Sequence, residues 1–188
     1  MSMRAFIGIP LPERVTRDIA RLQGLCPVGR AVDDETLHLT LVFLGEQSEA
    51  DLRDLCEDLD RIDVTPMKMC LSGLDVFGGR WGSALALEVQ GDSTLTALQG
   101  RVERRVRASG ITLERRRFRP HVTFMRLGKD PGPAAQAKLQ GFISSQGLAF
   151  TPKYFTASSF ALYRSNLHPN GASYDVLAEF GLGQDFSE

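Results

Sequence analysis

The pattern of apolar and polar residues divides the chain into stretches with a strand period and stretches with a helix period. Residues 4–9 are mostly apolar and precede a proline, which predicts a first strand. Val15, Ile19 and Leu22 then recur at helical spacing, and Pro12 suits the first turn of the helix that they predict. The chain therefore starts with a strand followed by an amphipathic helix.

Capping and turn residues place the later elements. Ser48 and Asp51 form a capping-box pair, which predicts the start of a second helix. Asp92 or Ser93 is predicted to cap a third helix that ends near Gly110. Further strands are predicted over residues 67–77, 81–89, 154–163 and 172–180, with a turn at 78–80 and a weaker helix that follows the linker 128–133 and runs to about residue 145.

Two more strands are predicted, and both begin with histidine. Their octapeptides, HLTLVFLG and HVTFMRLG, share four of eight positions, including the histidine and the threonine. Because side chains alternate along a strand, His38 and Thr40 should share one face of the first strand, and His121 and Thr123 one face of the second. Side by side, the two strands would present two imidazoles and two hydroxyls to a common cleft.

The residues between these polar positions are predicted to face the core. On strict alternation, Leu39, Leu41 and Phe43 lie behind His38. Arg126, five positions after the second histidine, also falls on the rear face. It reaches the cleft only if a bulge or a strand end intervenes, and the sequence leaves this open.

The predicted elements repeat in the order strand, helix, histidine strand, helix, strand. The first copy covers residues 3–77 and the second residues 81–180, with the two histidines 83 positions apart. This duplication predicts an α+β fold of one bilobal domain, in which two pseudo-symmetric lobes with small antiparallel or mixed sheets face a central cleft. A single doubly wound sheet is the competing fold, and the lack of a glycine-rich phosphate loop after the first strand disfavours it.

Length and composition fit one globular domain. The 188 residues are 43% hydrophobic and carry a formal net charge of −1, so any contact with nucleic acid must be local. Cys26, Cys56 and Cys70 show no paired or metal-ligand spacing, which predicts buried, reduced thiols and no metal site. The N-terminal apolar stretch is too short for a signal peptide, and no stretch is long enough to span a membrane. We therefore expect a cytoplasmic protein.

The paired histidines and threonines suit an in-line substitution at phosphorus. An imidazole has an unperturbed pKa of roughly 6.5, so one histidine can accept a proton from water while another donates one to the leaving alkoxide. The threonine hydroxyls can donate hydrogen bonds to the non-bridging phosphate oxygens, where charge accumulates. Taken singly, each histidine is better explained as a structural residue and each threonine as a strand former. The duplication of the motif argues against that explanation.

Residues outside the four paired positions are weaker candidates. The segment 115–119 contains four arginines that could follow a nucleic-acid backbone, with Phe118 as a stacking surface. A solvated strand edge explains this segment at least as well. His168 lies in a predicted turn and is interpreted as a surface residue.

The paired motifs resemble the His-x-Thr/Ser-x signature of the two-histidine phosphoesterases, in which x is hydrophobic. In detail the chain resembles the bacterial and archaeal RNA 2′,3′-cyclic phosphodiesterases, also called 2′-5′ RNA ligases. The stretches that agree with this branch are RAFIGI at 4–9, LVFLGE at 41–46, RPHVTFMR at 119–126, LYRSNL at 162–167 and GASY at 171–174. The resemblance therefore spans nearly the whole chain.

The resemblance implies hydrolysis of a 2′,3′-cyclic phosphate at an RNA end to a 2′-phosphate, with reversible 2′-5′ RNA ligation as a further activity. It implies that His38 is the general acid toward the 3′ oxygen and His121 the base toward water. It also implies that Arg126, with Thr40 and Thr123, contacts the substrate.

No cofactor or metal is implied by the resemblance. We expect a monomer without membrane contact that binds RNA ends or nucleotides with a 2′,3′-cyclic phosphate. Two alternatives stay open. One is a phosphodiesterase for small cyclic nucleotides or a nucleotide-derived 1″,2″-cyclic phosphate, and the other is a non-catalytic module that binds RNA ends.

Overall fold

The strands of the computed structural model form one sheet, and in the described residues four α-helices link strands along the chain. The structure describes residues 2–78, 82–128, 132–169 and 171–183. Within these residues the strands are β1 (Ser2–Pro10), β2 (Arg30–Ala31), β3 (His38–Ser48), β4 (Met67–Phe77), β5 (Ala84–Gly91), β6 (His121–Arg126), β7 (Lys153–Ala157), β8 (Ser159–His168) and β9 (Gly171–Gly181). The helices are α1 (Glu13–Leu25), α2 (Glu49–Asp60), α3 (Ser93–Ala108) and α4 (Pro133–Ala149), and a 3-10 helix covers Asp34–Thr36.

The sheet consists of two four-stranded halves with the same internal arrangement. One half has the order β3-β1-β8-β9 and the other β6-β5-β4-β7, so the two histidine strands meet in the middle. In the described part of the chain, Leu39 and Val122 form the antiparallel pair that joins the halves, and the short β2 adds to β6. This arrangement confirms the predicted α+β fold with a duplicated unit. The two small sheets expected from the sequence are continuous with each other.

The last third of the chain crosses from one half of the sheet to the other. The sequence predicts one strand over residues 154–163, and this prediction is wrong because the strand is interrupted at Ser158. β7 pairs with β4 at one edge, whereas β8 pairs with β1 in the opposite half. Likewise β4, which ends the first predicted repeat, pairs with β5 from the second. Local patterning cannot indicate these partners, because they are chosen by long-range packing.

The helices begin close to where the sequence predicts. The Ser48 side chain accepts a hydrogen bond from the backbone N–H of Asp51 and caps α2. Asp92, rather than Ser93, caps α3. The apolar face of α1 is buried as predicted, and α4 continues past its predicted end to residue 149.

The hydrophobic core lies between the helices and the sheet face that carries Leu39 and Val122. Cys70 is buried, whereas Cys26 and Cys56 are half-buried, and burial raises the pKa of both half-buried thiols. None of the helices in the described ranges is long and apolar enough to cross a membrane. Positions 79–80 of the predicted turn at 78–80, position 81 of the predicted strand 81–89 and positions 129–131 of the predicted linker at 128–133 lie outside the described residues.

Candidate active site

The pairing of β3 with β6 brings the two histidine motifs together. The central pair, Leu39 with Val122, is fully buried. The positions on either side of this pair lie on the opposite face of the sheet and are half-buried: His38, Thr40, His121 and Thr123. In an antiparallel register, each histidine lies across from the threonine of the other strand. The four predicted residues therefore share one cleft.

A β-bulge in β6 brings Arg126 to the same face as His121. The register with β5 skips Phe124, between the pairs formed by Thr123 and Met125. Phe124 and Met125 are both buried, and the alternation resumes with Arg126 exposed. This is the bulge that the sequence analysis required for Arg126 to reach the cleft.

A matching bulge in β3 reverses the predicted orientation of Phe43. The register with β1 skips Leu41, between the pairs formed by Thr40 and Val42. Leu41 and Val42 are both buried, and Phe43 emerges on the face of His38 with 61% of its surface exposed. The prediction that Phe43 lies behind His38 is therefore wrong, because the bulge shifts the alternation by one residue.

The same backbone contact holds both imidazoles. Nδ1 of His38 lies 2.7 Å from the carbonyl oxygen of Thr36, and Nδ1 of His121 lies 2.7 Å from that of Arg119. A carbonyl can only accept, so Nδ1 carries the hydrogen in each ring and Nε2 is left for proton transfer. In the neutral ring, Nε2 of His38 accepts a hydrogen bond from the Thr40 hydroxyl at 3.0 Å.

Aromatic side chains surround His38. Phe6 stacks on its ring with the centroids 4.5 Å apart, and Tyr174 meets it edge-on at 5.1 Å. Burial is the main cause that lowers the pKa of His38 to about 4, and the positive charges of Arg126 and of a protonated His121 act in the same direction. The hydrogen bond to the backbone carbonyl opposes the shift in part. His38 is therefore neutral in the free protein at neutral pH.

His121 rests on a second aromatic layer. Phe77 stacks on its ring with the centroids 4.1 Å apart and the planes inclined by 15°. The Arg119 guanidinium lies 4.4 Å from the centre of the Phe77 ring and donates a 2.7 Å hydrogen bond to Asp75. Arg119 thus supports His121 twice, through its carbonyl oxygen and through Phe77.

Gly8 leaves room for the His38 ring. It lies opposite Thr40 in the register of β1 with β3. A Cβ at position 8 would lie 3.0 Å from the carbonyl oxygen of Leu39 and 3.3 Å from Cδ2 of His38. The glycine in the middle of β1 is therefore explained by the close approach of this ring and the neighbouring backbone.

Two cavities adjoin the cleft. One, of about 390 Å³, lies beside the start of α1 and is lined by His38, Tyr163 and Tyr174. The other, of about 1010 Å³, is lined on one side by Arg30 and Arg126, which lie opposite each other in the register of β2 with β6. Within the described residues, no group of three or more His, Cys, Asp or Glu side chains is placed to hold a metal ion.

The other residues singled out in the sequence lie outside the histidine pair. Phe118 is half-buried and packs against the core, so it does not offer the stacking surface that the sequence suggested. The arginines at 115–117 are exposed. His168 is exposed as predicted, at the end of β8, with Nε2 3.0 Å from the Ser173 hydroxyl.

The residues that support the histidines are not apparent from the sequence pattern. Phe6, Gly8, Phe77 and Tyr174 come from β1, β4 and β9, far from the motifs along the chain. Gly8 carried a usable signal, because an isolated glycine within a strand often marks a close approach. The four consecutive apolar residues 41–44 also signal a bulge, since they break the alternation. The aromatic residues carried no signal, because aromatic residues are common in strands.

Comparison with known proteins identifies relatives along most of the chain. The sequence model of the 2′-5′ RNA ligase superfamily matches residues 11–169. A Thermus thermophilus protein named RNA 2′,3′-cyclic phosphodiesterase is 30% identical over 192 residues, which cover 96% of this chain and 90% of the relative. A Bacillus subtilis protein of the same name is 28% identical over 185 residues, which cover 94% and 95%. The chain spans 56% of the length of a Geobacillus stearothermophilus protein of that name, with 27% identity over 184 residues and 94% of this chain covered.

Solved structures share the fold. The crystal structure of a Thermus thermophilus protein superposes with a TM-score of 0.72 at 27% identity, covering 95% of this chain and 97% of that one. E. coli LigT, crystallised with 3′-AMP, has the same fold, with a TM-score of 0.78 at 22% identity and coverage of 98% and 100%. The residues matched by the superfamily include both histidine motifs, and the chain belongs to the 2′-5′ RNA ligase superfamily.

Proposed function

We propose that the protein hydrolyses the 2′,3′-cyclic phosphate at RNA ends to a 2′-phosphate, with reversible 2′-5′ ligation when a 5′ hydroxyl replaces water as the nucleophile. The observation that carries this proposal is the placement of His38 and His121 in one cleft, each with Nδ1 bound to a carbonyl and Nε2 left for proton transfer. The name of the relatives, RNA 2′,3′-cyclic phosphodiesterase, supports the same activity.

In the proposed reaction, Nε2 of His121 accepts a proton from water as the water oxygen bonds to phosphorus. The bond between phosphorus and the 3′ oxygen breaks, and Nε2 of His38 donates a proton to that oxygen. Thr40 and Thr123 donate hydrogen bonds to the non-bridging oxygens, and Arg126 offsets the negative charge that accumulates there. The cycle closes when His121 releases its proton to the solvent and His38 takes up a proton again.

The acid role of His38 requires that the substrate raise the pKa of this histidine. Burial lowers that pKa to about 4, so the free protein holds His38 neutral. A bound phosphate places a negative charge beside the half-buried ring, and an opposite charge at short range favours the imidazolium form. The Thr40 hydroxyl, which donates to Nε2 in the free protein, then turns to the phosphate. His38 therefore takes up its proton together with the substrate.

We further propose that the reaction needs no metal ion or cofactor, because two histidines and three hydrogen-bond donors supply each function that the step requires. The protein is proposed to act in the cytoplasm, as a monomer whose chain forms one bilobal catalytic domain. Light scattering in solution measures the oligomeric state. Activity in excess EDTA measures the metal requirement, and loss of turnover in EDTA would contradict the proposal.

The decisive experiment is turnover of an oligoribonucleotide with a 2′,3′-cyclic phosphate end, in excess EDTA, with the product assigned by phosphorus NMR. His38→Ala and His121→Ala are each expected to lower kcat by about 10²–10⁴-fold, the usual contribution of a general acid or base. His168→Ala is the matched control for kcat, because this third histidine lies outside the pair, although it lines the larger cavity together with Arg126. It should keep the wild-type kcat on the chemical step.

Each other outcome of this experiment has a definite meaning. A 3′-phosphate product, or an unchanged rate in either histidine variant, contradicts the proposed mechanism. Turnover of small cyclic nucleotides or of a 1″,2″-cyclic phosphate, without turnover of the oligoribonucleotide, identifies the alternative enzyme. Tight binding of the RNA end without turnover of any of them identifies a binding module.

The acid and the base can be told apart with a leaving group that needs no proton. A 3′-deoxynucleoside 2′-(4-nitrophenyl phosphate) has no 3′ hydroxyl that could attack phosphorus, so water is the nucleophile, and the nitrophenolate that it releases leaves without protonation. The fold decrease in kcat caused by His38→Ala should therefore be at least ten times smaller on this ester than on the cyclic phosphate. The fold decrease caused by His121→Ala should be about the same on both substrates. The opposite result would exchange the two roles.

A further inference from the structure

The larger cavity beside the cleft has two arginines at directly opposite positions of neighbouring strands. Arg30 of β2 pairs with Arg126 of β6, and both residues are exposed and line this cavity of about 1010 Å³. Residues that face each other on neighbouring strands have Cβ atoms about 5 Å apart, and two like charges at that spacing destabilise the pairing. Strand pairing therefore does not explain the two arginines, whereas an anion bound between them would offset their repulsion.

The β8–β9 hairpin packs closely against the Arg30 side chain. A Cβ at position 171 would lie 2.7 Å from Nη1 of Arg30, and the φ of +136° at Gly171 is a conformation that favours glycine. His168, Ser173 and Tyr174 of the same hairpin also line the cavity. Because this packing restricts the Arg30 guanidinium before a ligand arrives, less side-chain entropy is lost when a ligand binds.

The larger cavity adjoins His38 as well as the two arginines. Tyr174, which meets the His38 ring edge-on, lines it, and so does Thr36, whose carbonyl oxygen contacts Nδ1 of His38. The positive charge of Arg126 reaches the same ring, since it contributes to the lowered pKa of His38. A ligand bound at the histidines can therefore extend past Arg126 to Arg30 within one cavity.

Carboxylates line another part of this cavity. Asp33, Asp34 and Glu35 lie in and next to the 3-10 helix that precedes β3. These carboxylates repel a phosphate, whereas the two guanidinium groups attract one and can each bond two of its oxygens. A phosphate that enters the cavity is therefore confined to the side formed by β2 and β6.

We propose that Arg30 binds a second phosphate of the substrate, the phosphodiester on the 5′ side of the terminal nucleotide. The inference rests on the proposed function, in which Arg126 contacts the cyclic phosphate. Two arginines on neighbouring strands then hold two neighbouring phosphates of one RNA strand. This second phosphate site gives the protein a preference for RNA ends over cyclic nucleotides that lack a 5′ phosphate.

The test compares two substrates that differ only at the 5′ oxygen. One is adenosine 2′,3′-cyclic phosphate, and the other carries a methyl phosphodiester on its 5′ oxygen. Arg30→Gln removes the charge and should lower kcat/KM on the diester by about 5- to 50-fold, as expected for a lost hydrogen bond between charged groups. The fold decrease on the substrate without this group should be at least five times smaller. Arg30→Lys, which keeps the charge, should lose less than Arg30→Gln on the diester.

The matched control is Arg53→Gln, which removes an exposed arginine on α2 that does not line the cavity. It should leave the ratio of kcat/KM for the two substrates at the wild-type value. An equal decrease on both substrates in Arg30→Gln, or no decrease on either, overturns the second phosphate site.

A binding measurement separates failure of the second phosphate site from failure of the proposed function. Calorimetry gives the Kd of adenosine 2′-phosphate and of adenosine 2′,5′-bisphosphate for the wild type and Arg30→Gln, with no need for turnover. If the wild type hydrolyses neither substrate but Arg30→Gln weakens binding of the bisphosphate more than that of the monophosphate, the second phosphate site stands and the proposed reaction fails. If Arg30→Gln changes both Kd values by the same factor or changes neither, or if the wild type binds neither ligand, the second phosphate site is wrong.

Discussion

His38 is the residue whose chemistry depends most on its neighbours. Its ring lies on Phe6, and Tyr174 closes another side, so an imidazolium at this position would lose much of its hydration. The neutral form is favoured as a result, and the pKa falls to about 4. Nδ1 carries a hydrogen in both protonation states, so the contact with the Thr36 carbonyl persists in each. The protonation and the orientation of this ring are thus controlled by different neighbours.

The lowered pKa of His38 predicts a pH-dependent folding stability. This histidine has a pKa of about 4 when folded and roughly 6.5 when unfolded, so between these values the unfolded chain binds a proton that the folded chain does not. The stability that the neutral His38 ring contributes to the folded state is therefore fully present above about pH 6.5, and it is lost as the pH falls toward 4. The loss amounts to at most about 3 kcal/mol in the free energy of unfolding.

Urea unfolding of the wild type and His38→Gln between pH 4 and pH 8 measures this effect. The difference between the two unfolding free energies should change across the window, because the variant lacks the titrating ring. His168→Gln is the control for the loss of an exposed histidine, and the change across the window should be larger for His38→Gln than for this control. Parallel curves for the wild type and His38→Gln would show that burial does not lower the pKa of His38.

At the scale of the elements, the bulge in β6 places Arg126 on the same face of the sheet as His121. It leaves Phe124 without a place in the ladder with β5, so the backbone carbonyl of Phe124 needs other partners. The backbone N–H of Val32 donates to it at 2.9 Å, and Nε2 of Gln23 donates to it at 2.9 Å. Gln23 also donates to the carbonyl of Val32 at 2.7 Å. A buried side chain on α1 therefore holds the bulge that orients Arg126.

Gln23→Leu is expected to loosen this bulge. The substitution removes two hydrogen bonds to buried carbonyls and should lower the free energy of unfolding by about 1–3 kcal/mol. It should also lower kcat/KM on a cyclic-phosphate substrate, because Arg126 loses its fixed position. Gln99→Leu is the control, since Gln99 lies on α3 and its side chain bonds to Glu103 away from the cleft. If both variants behave alike in urea unfolding and in kinetics, Gln23 does not support the bulge.

At the scale of the whole molecule, charge is distributed unevenly. Residues 101–119 contain eight arginines and two glutamates, whereas the remainder of the chain has a net charge of −7. Arg104, Arg105, Arg115 and Arg117 are exposed on α3 and on the extended segment that leads into His121. A nearly neutral protein can therefore present a local basic surface at the exposed Arg115 and Arg117, which precede His121 in the chain, and this surface suits the RNA body beyond the cyclic end.

The double variant Arg115→Ala, Arg117→Ala tests this surface. If both side chains contact phosphates, binding of an oligoribonucleotide that ends in a 2′-phosphate should weaken. The slope of log Kd against log salt concentration should also fall by about 1.4. The kcat/KM for a mononucleoside cyclic phosphate should not change. Arg53→Ala, Arg61→Ala, which removes two exposed arginines, one within α2 and one directly after it, is the control. An unchanged salt slope in the test variant would show that these two arginines are solvated at a strand edge and do not contact RNA phosphates.

The sequence by itself determined the features that depend on short-range pattern. Alternation and helical spacing predicted the order of most elements, and the capping residues predicted where α2 and α3 begin, because a cap is a contact within one turn. The duplicated motif predicted that two histidines and two threonines face one cleft, since residues at i and i+2 of a strand share a face. The same motifs identified the family.

Only the tertiary structure decided which elements meet. The two strands around Ser158 pair in opposite halves of the sheet, β7 at one edge and β8 between β1 and β9, and nothing in their own sequence distinguishes these places. The bulges that turn Phe43 and Arg126 to the cleft arise from the register with β1 and β5, which local alternation does not contain. The pKa of His38 depends on Phe6 and on burial by distant strands. Each of these properties comes from contacts between residues far apart in the chain, which is why sequence pattern alone does not specify them.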